Sequence, residues 1–205
     1  TDAHEQQYSE LRQHRSEHSD VFELPVQFDY DSFLEDLSYL TVPASIRTKE
    51  CLKIIGEFGI LYGIDPKQMQ FLVGKSVKFD PTNRSKDMLD TNALRNRCMK
   101  EDSIYENPNV PKTRYSLAPV RFLQGFQDGA PVSDSDAKLL EYLLRDLRMK
   151  PQVVNVLVEF VLQNYEMKLQ RSLVEKIATN WIRMKIDTVE KALDFIQSSQ
   201  INNSR

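Results

Sequence analysis

Glycine and cysteine are scarce in this sequence, and long hydrophobic runs are missing. The 205 residues include only six glycines and two cysteines. Alternating valine and isoleucine patterns are almost absent, which excludes a β-rich fold, and helical periodicity dominates instead. The two cysteines, Cys51 and Cys98, are isolated, which excludes a disulfide framework and suits a reducing compartment. The most apolar run, Val153–Leu162, is too short to span a membrane and contains Asn155 and Glu159.

Residue patterns for catalysis and for cofactor binding are also missing. The sequence has no Gly-x-Ser-x-Gly motif and no Cys/His pair. All three histidines lie in the polar N-terminal stretch: His4, His14 and His18. No cysteine or paired carboxylate completes a metal site with them. The letters GKS at residues 74–76 match the end of a phosphate-binding loop, but Met69 stands where that motif needs glycine. We therefore expect no enzymatic activity, no metal and no cofactor.

Charge is nearly balanced over the whole chain but not along it. The net charge is −3, which excludes a globally basic nucleic-acid-binding protein and permits a local basic surface. Residues 145–185 contain eight basic and four acidic side chains. Such a surplus attracts phosphates at low salt. This segment is therefore the candidate nucleic-acid interface.

The residues 169–185 have the periodicity of an amphipathic helix. Leu173, Ile177 and Trp181 are four residues apart and share the apolar half. We predict that Ile177 is structural and that Trp181, the only tryptophan, is mainly structural but partly exposed at the helix end. The neighbouring basic residues are predicted to be functional. The candidate DNA-binding residues are Lys168, Arg171, Lys176, Trp181, Arg183 and Lys185.

The helical pattern runs through two halves that look alike. Pro66 and Pro151 each open a helix in the same place in their half. Helix starts are also predicted from side chains that can cap a first turn: Ser45, Asp65, Asp90, Ser133 and Asp187. We predict an all-α fold of two tandem small helical modules. The predicted segments are a polar helix or linker at 1–28, a first module at 29–101, a linker at 102–119, a second module at 120–198 and a tail at 199–205.

The stretch MKPQVVNVLVEFVLQNYEMKLQRSLVEKIATNWIRMKIDTVEKALDFI resembles the DnaD/DnaB homology domain of helicase-loading proteins from low-GC Gram-positive bacteria. The resemblance is strong over residues 117–196 and weaker over 28–100, where LYGIDPKQM and LDTNALRNRC carry it. The family has a Tyr-x-x-x-Ile-x-x-x-Trp motif, which Ile177 and Trp181 match, whereas Leu173 replaces the tyrosine. The winged-helix domain of the family is absent and the chain begins at Thr1, so we expect a C-terminal fragment of a longer protein.

The resemblance implies a non-enzymatic primosome component that binds single- and double-stranded DNA, forms homo-oligomers and helps to load the replicative helicase in initiation and restart. The implied protein partners are the replicative helicase with its ATPase loader and the DnaD-type primosome protein. The implied location is cytoplasmic and nucleoid-associated, with an indirect association with the membrane. One alternative stays open: a protein-interaction and oligomerisation scaffold whose charges are merely solvated, without DNA contact in this segment.

Overall fold

Helices make up most of the chain that the structure describes. The computed structural model describes residues 27–102, 105, 108 and 112–203. Its helices are α1 (Tyr30–Leu34), α2 (Lys49–Tyr62), α3 (Pro66–Gly74), α4 (Thr91–Met99), α5 (Pro119–Gly125), α6 (Asp134–Arg145), α7 (Pro151–Asn164), α8 (Arg171–Arg183) and α9 (Val189–Asn203). The predicted all-α class is confirmed. Of the predicted N-terminal segment 1–28, residues 1–26, with the three histidines, lie outside the described residues.

Several predicted helix starts are confirmed by their hydrogen bonds. Asp65, Asp90 and Ser133 each accept a hydrogen bond from a backbone N–H two or three residues later. Pro66 and Pro151 occupy the first positions of α3 and α7, where the missing N–H of proline costs nothing. These starts could be predicted because each depends only on residues within one turn.

Two predicted helix starts were wrong by a few residues. Ser45 lies in a short 3-10 turn, and the cap of α2 is Thr48, whose hydroxyl accepts a hydrogen bond from the N–H of Cys51. At α9 the hydroxyl of Thr188, rather than Asp187, accepts a backbone hydrogen bond in the first turn. In both cases several neighbouring residues can cap a helix, and the position of the helix in the core selects one of them.

A two-stranded antiparallel hairpin interrupts the helical order between α3 and α4. Its strands are β1 (Val77–Lys78) and β2 (Met88–Leu89), and Val77 pairs with Leu89. Helix α3 ends at Gly74, three residues before Val77. The connecting loop is held by Asp80, which accepts hydrogen bonds from the backbone N–H groups of Thr82 and Asn83. The strands pair across the connecting loop, over a longer stretch of sequence than one helical turn, and helical periodicity therefore did not reveal the pairing.

The two halves of the chain share one hydrophobic core. Helix α2 of the first half packs against α5 and α6 of the second. At this contact Glu141 accepts hydrogen bonds from Arg95 at 2.8 and 3.0 Å and also from Arg145. Arg145 also donates to Glu57 at 2.8 Å. The four charges form one network between the halves, and the division into modules 29–101 and 120–198 stays a prediction.

The described end of the predicted linker 102–119 is docked on α7. The amide of Asn155 donates to the carbonyls of Tyr115 and Leu117 at 3.0 and 2.8 Å. The hydroxyl of Tyr115 donates to Glu159, which also pairs with Arg114. Two polar side chains of α7 thus satisfy the backbone and side chains of this segment before α5 begins.

Candidate nucleic-acid interface

Helix α8 is amphipathic because its apolar side chains repeat with the helical period. Val174, Ala178 and Trp181 are fully buried, and Leu173 and Ile177 pack at the edge of the core. The helix begins at Arg171, three residues later than Lys168, where the sequence predicted its start. Its opposite side faces solvent and carries the basic residues of interest.

Trp181 is completely buried, with 0% of its surface exposed. Its ring lies 6.4 Å from the ring of Phe160 on α7 and 6.3 Å from the ring of Phe195 on α9, measured between centroids. The predicted partial exposure was therefore wrong, because α9 folds over the end of α8 and covers the ring. A buried ring cannot stack on a base, so in this structure Trp181 belongs to the core.

Two of the predicted basic residues lie on one exposed stripe of α8. Lys176 and Arg183 are about 20° apart around the helix and about 10 Å apart along it. Both are exposed, and neither has an ion-pair partner among the residues that the structure describes. Polar side chains of the same stripe lie between or beside them: Ser172, Thr179 and Asn180. This stripe, which we call the α8 stripe, presents two cations and three hydrogen-bonding side chains.

The other predicted basic residues are exposed but lie away from the α8 stripe. Arg171 is on another side of the helix, where its guanidinium contacts Glu175 at 2.7 Å and lies over the ring of Tyr142. Lys168 precedes the helix and pairs with Glu166 at 3.1 Å. Lys185 follows the helix in a left-handed conformation, at φ 55°. The structure therefore brings together Lys176 and Arg183, and it scatters Lys168, Arg171 and Lys185 around them.

Part of the basic surplus counted along the chain is used inside the protein. Arg145 was counted with the candidate interface, but it lies at the contact between the halves and pairs with Glu57 and Glu141. Its partner Glu57 is 88 positions away along the chain, so nothing in the local sequence indicated this pairing. The acidic Glu159 of the same segment is buried as well, so the exposed surplus remains, and most of it lies on and near α8.

Metal-ligating side chains are dispersed among the described residues, and one of the two thiols is buried. Among these residues no group of three or more histidine, cysteine or carboxylate side chains could hold a metal ion. Cys98 is buried, and burial raises the pKa of its thiol to about 12, so the reactive thiolate is strongly disfavoured. Among the same residues, no helix is both long enough and apolar enough to cross a bilayer.

Comparison with known proteins agrees with the resemblance found in the sequence. Residues 127–196 match a family described as replication initiation and membrane attachment. This match and the similarity described next support the resemblance to the DnaD/DnaB helicase-loading proteins. The descriptions of the matched family and of the relative name replication initiation and helicase loading.

One relative is the replicative helicase loading/DNA remodeling protein DnaB of Staphylococcus aureus. The chain is 21% identical to it over 191 residues, which is 82% of this chain and 41% of the relative. The similarity therefore extends well beyond residues 127–196 into the first half. The chain spans about two fifths of the length of this relative. No solved structure matches the chain.

Proposed function

We propose that this chain is a DNA-contacting, non-enzymatic component of the bacterial machinery that loads the replicative helicase during replication initiation and restart. The observation that carries the proposal is the α8 stripe, in which Lys176 and Arg183 are exposed and face no carboxylate among the described residues. The proposal is also supported by a relative whose name states helicase loading and DNA remodeling.

The spacing of the two cations suits a phosphate backbone. They lie about 10 Å apart along α8, and the phosphates of one B-form strand advance about 3.4 Å each along the axis. Because both side chains are long, Lys176 and Arg183 can contact two different phosphates of one strand, while Ser172 and Asn180 donate hydrogen bonds nearby. Arg171, Lys168 and Lys185 would raise the local potential around this contact.

Contacts of this kind fix position without reading sequence. Lysine and arginine bind phosphates, whereas base identity is read through the groove edges of the bases. The α8 stripe has no aromatic side chain that could stack on a base, because Trp181 is buried. We therefore expect DNA binding through α8 that is salt-dependent, similar for single and double strands and independent of sequence.

The proposal includes the partners that the family implies. These are single- and double-stranded DNA, the replicative helicase with its ATPase loader, the DnaD-type primosome protein and further copies of this chain. The proposed location is cytoplasmic and nucleoid-associated, and contact with the membrane would be indirect, through a partner.

A second candidate function is a protein-interaction scaffold without DNA contact in this segment. It is favoured by Ile182 and Met184, two large apolar side chains that are exposed at the end of α8. It is also favoured by Lys168 and Arg171, whose charges are paired with carboxylates of the same chain. In this alternative the charges of α8 keep the surface soluble and a protein covers its end.

DNA titrations at several salt concentrations distinguish the two functions. Each phosphate contact that is lost should reduce the slope of log affinity against log salt by about 0.7 for single strands and about 0.9 for duplex DNA. We expect Lys176→Ala with Arg183→Ala to weaken binding and to reduce both slopes by the amount that corresponds to two lost contacts. Stability should change little, because both side chains are exposed.

The matched control is Arg97→Ala with Lys138→Ala, which removes one arginine and one lysine from exposed positions on α4 and α6. It should leave the slopes nearly unchanged, since it alters the net charge equally but not the α8 stripe. Equal effects of the two double variants, or none from either, would contradict the α8 contact and favour the scaffold.

A further inference from the structure

Aromatic rings are exposed on the surface of the first half. Phe71 on α3 is 57% exposed and Phe79, directly after β1, is 47% exposed. Tyr39, in the segment between α1 and α2, is also exposed. This contrasts with the α8 stripe, where the one neighbouring ring, Trp181, is buried.

A cation lies over each of these exposed rings. The ammonium of Lys75 is 5.5 Å from the ring centroid of Phe71, and the guanidinium carbon of Arg84 is 5.0 Å from that of Phe79. Both cations are themselves exposed. Exposed rings with adjacent cations are the elements with which proteins bind single strands, because a base can stack on the ring while a phosphate contacts the cation.

The third ring is held in place by a buried residue. Arg47 lies 3.6 Å from the ring centroid of Tyr39. Its guanidinium also donates to the carbonyls of Val42 and Leu37 at 2.9 and 2.7 Å. Arg47 therefore orients Tyr39 and is not accessible to a ligand, so two complete pairs of ring and cation remain.

The pairs belong to one neighbourhood of the fold. Thr41 approaches the end of α3 so closely that a Cβ at Gly74 would lie 2.4 Å from its methyl group. On the other side, β2 and the turn Arg84–Lys86 pack against the turn Ala44–Ile46. The segment between α1 and α2 thus has the end of α3 on one side and the hairpin on the other. We call the exposed rings Tyr39, Phe71 and Phe79, with Lys75 and Arg84, the ring surface.

The local charge also favours an anionic ligand. Residues 67–88 contain five basic and two acidic side chains in a chain whose net charge is −3. One of the two acids, Asp87, is buried; it accepts a hydrogen bond from the backbone N–H of Asp80 and contacts the guanidinium of Arg84 at 3.6 Å. The side chains of Lys75, Lys78 and Lys86 are exposed, and Lys78 forms an ion pair with Asp90 at 2.7 Å. The combination of rings and positive charge fits a nucleic acid with accessible bases better than a purely apolar partner.

We propose that the ring surface binds single-stranded nucleic acid by stacking bases on Phe71 and Phe79, and that it gives this chain its preference for single strands. The α8 stripe, which lacks an exposed ring, holds phosphates of either form. The inference rests on the proposed function only in taking nucleic acid as the ligand, because the two surfaces share no residue.

The test compares the 205-residue chain with a Phe71→Ala, Phe79→Ala variant on a thymidine oligonucleotide and on a duplex, in the same buffer. We expect single-strand affinity to fall about ten-fold or more, since stacking on one ring is worth about that much. Duplex affinity should stay the same. Phe71→Trp with Phe79→Trp retains the rings and should retain single-strand affinity. Equal losses on both ligands, or no loss on either, would overturn the proposal.

A control variant separates stacking from an apolar protein contact. Leu40 is 79% exposed and Met88 is 65% exposed, and both are large apolar side chains without rings. Leu40→Ser with Met88→Ser should leave single-strand affinity and molar mass in solution unchanged. If this variant lost as much affinity as the phenylalanine variant and changed the molar mass, the face would be a contact between copies of the chain, and the proposal would be wrong.

The outcomes for the two surfaces are distinguishable. Loss of the ring surface changes the ratio of single-strand affinity to duplex affinity. Loss of the α8 stripe instead reduces the salt dependence of binding to single strands and to duplex. A ring variant that behaves as expected beside an α8 variant without effect would support this inference and contradict the α8 contact. A parent chain that binds neither ligand would overturn both.

Discussion

At the scale of single residues, Trp181 illustrates how a motif residue becomes part of the core. Its ring is buried between Phe160 and Phe195, and its indole N–H has no hydrogen-bond partner within the part of the chain that the structure describes. The contribution of Trp181 therefore comes from packing. The polar residues on the other side of α8 are free to take a separate role.

We expect Trp181→Ala to lower the free energy of unfolding by about 3–5 kcal/mol, because the substitution removes a fully buried ring and leaves a cavity. The DNA affinity of the folded protein should not change. Urea unfolding and DNA titration of the same sample measure both quantities. Ile182→Ala is the control: this neighbour is exposed, and its loss should change stability by no more than about 0.5 kcal/mol. Weaker DNA binding by Trp181→Ala at unchanged stability would show that the ring turns outward to contact DNA.

At the scale of elements, the end of α2 is shaped by its contact with the other half. Gly63 ends this helix at φ 65°, a left-handed conformation that glycine adopts without steric cost. A Cβ at this position would lie 2.9 Å from the Cβ of Ala118, just before α5. The glycine thus serves both as the helix cap and as a close contact with the segment that leads into α5.

Gly63→Ala should therefore cost more than the strain of the backbone alone. Gly129→Ala is a matched control, since Gly129 also has a positive φ, 81°, but no atom within 4 Å of the added Cβ. We expect the control to lose about 1–2 kcal/mol from left-handed strain and Gly63→Ala to lose clearly more in denaturant unfolding. Equal losses would mean that Ala118 moves aside and that the contact between the halves accommodates the added methyl group.

At the scale of the whole molecule, the network of Glu57, Arg95, Glu141 and Arg145 joins the two halves. Burial opposes ionisation of Glu141, but hydrogen bonds from Arg95 and Arg145 outweigh it and lower its pKa. Burial raises the pKa of Glu57 in spite of the nearby Arg145. The two carboxylates therefore contribute to stability with opposite dependence on pH.

We expect Glu141→Gln to cost about 3 kcal/mol near neutral pH, because it leaves two arginines with a weaker partner in a buried site. Glu57→Gln should cost less, since ionisation of Glu57 is already disfavoured. The stabilisation from Glu141 is present above its unfolded pKa, near 4.5, and is lost as the pH falls through the lower folded value. The contribution of Glu57 is instead lost as the pH rises from about 4.5 through its raised folded value.

Urea unfolding of both variants between about pH 3 and pH 7 checks these signs. In the Glu141→Gln variant the free energy of unfolding should fall less steeply as the pH is lowered. The free energies of unfolding of the two variants should therefore become more similar at acid pH. Parallel curves with equal costs would indicate that the network is solvated and contributes little to the contact between the halves.

The sequence by itself determined those features that depend on neighbouring residues. Asp65, Asp90 and Ser133 could be predicted as helix caps because each cap is a hydrogen bond within one turn. The helical class followed from periodicity, and the resemblance to the DnaD/DnaB proteins followed from the pattern of residues 117–196. The apolar stripe of Leu173, Ile177 and Trp181 was also predictable, since its spacing alone places these side chains on one face.

Only the tertiary structure decided which of these side chains reach solvent. Trp181 was expected to be partly exposed, but α9 covers it, whereas Phe71, next to the buried Leu72 on α3, is 57% exposed. Arg145 appeared to belong to a basic surface and instead pairs with Glu57 across the contact between the halves. In each case the deciding neighbour is on another element, and burial depends on how elements pack, which the period of a single helix does not contain.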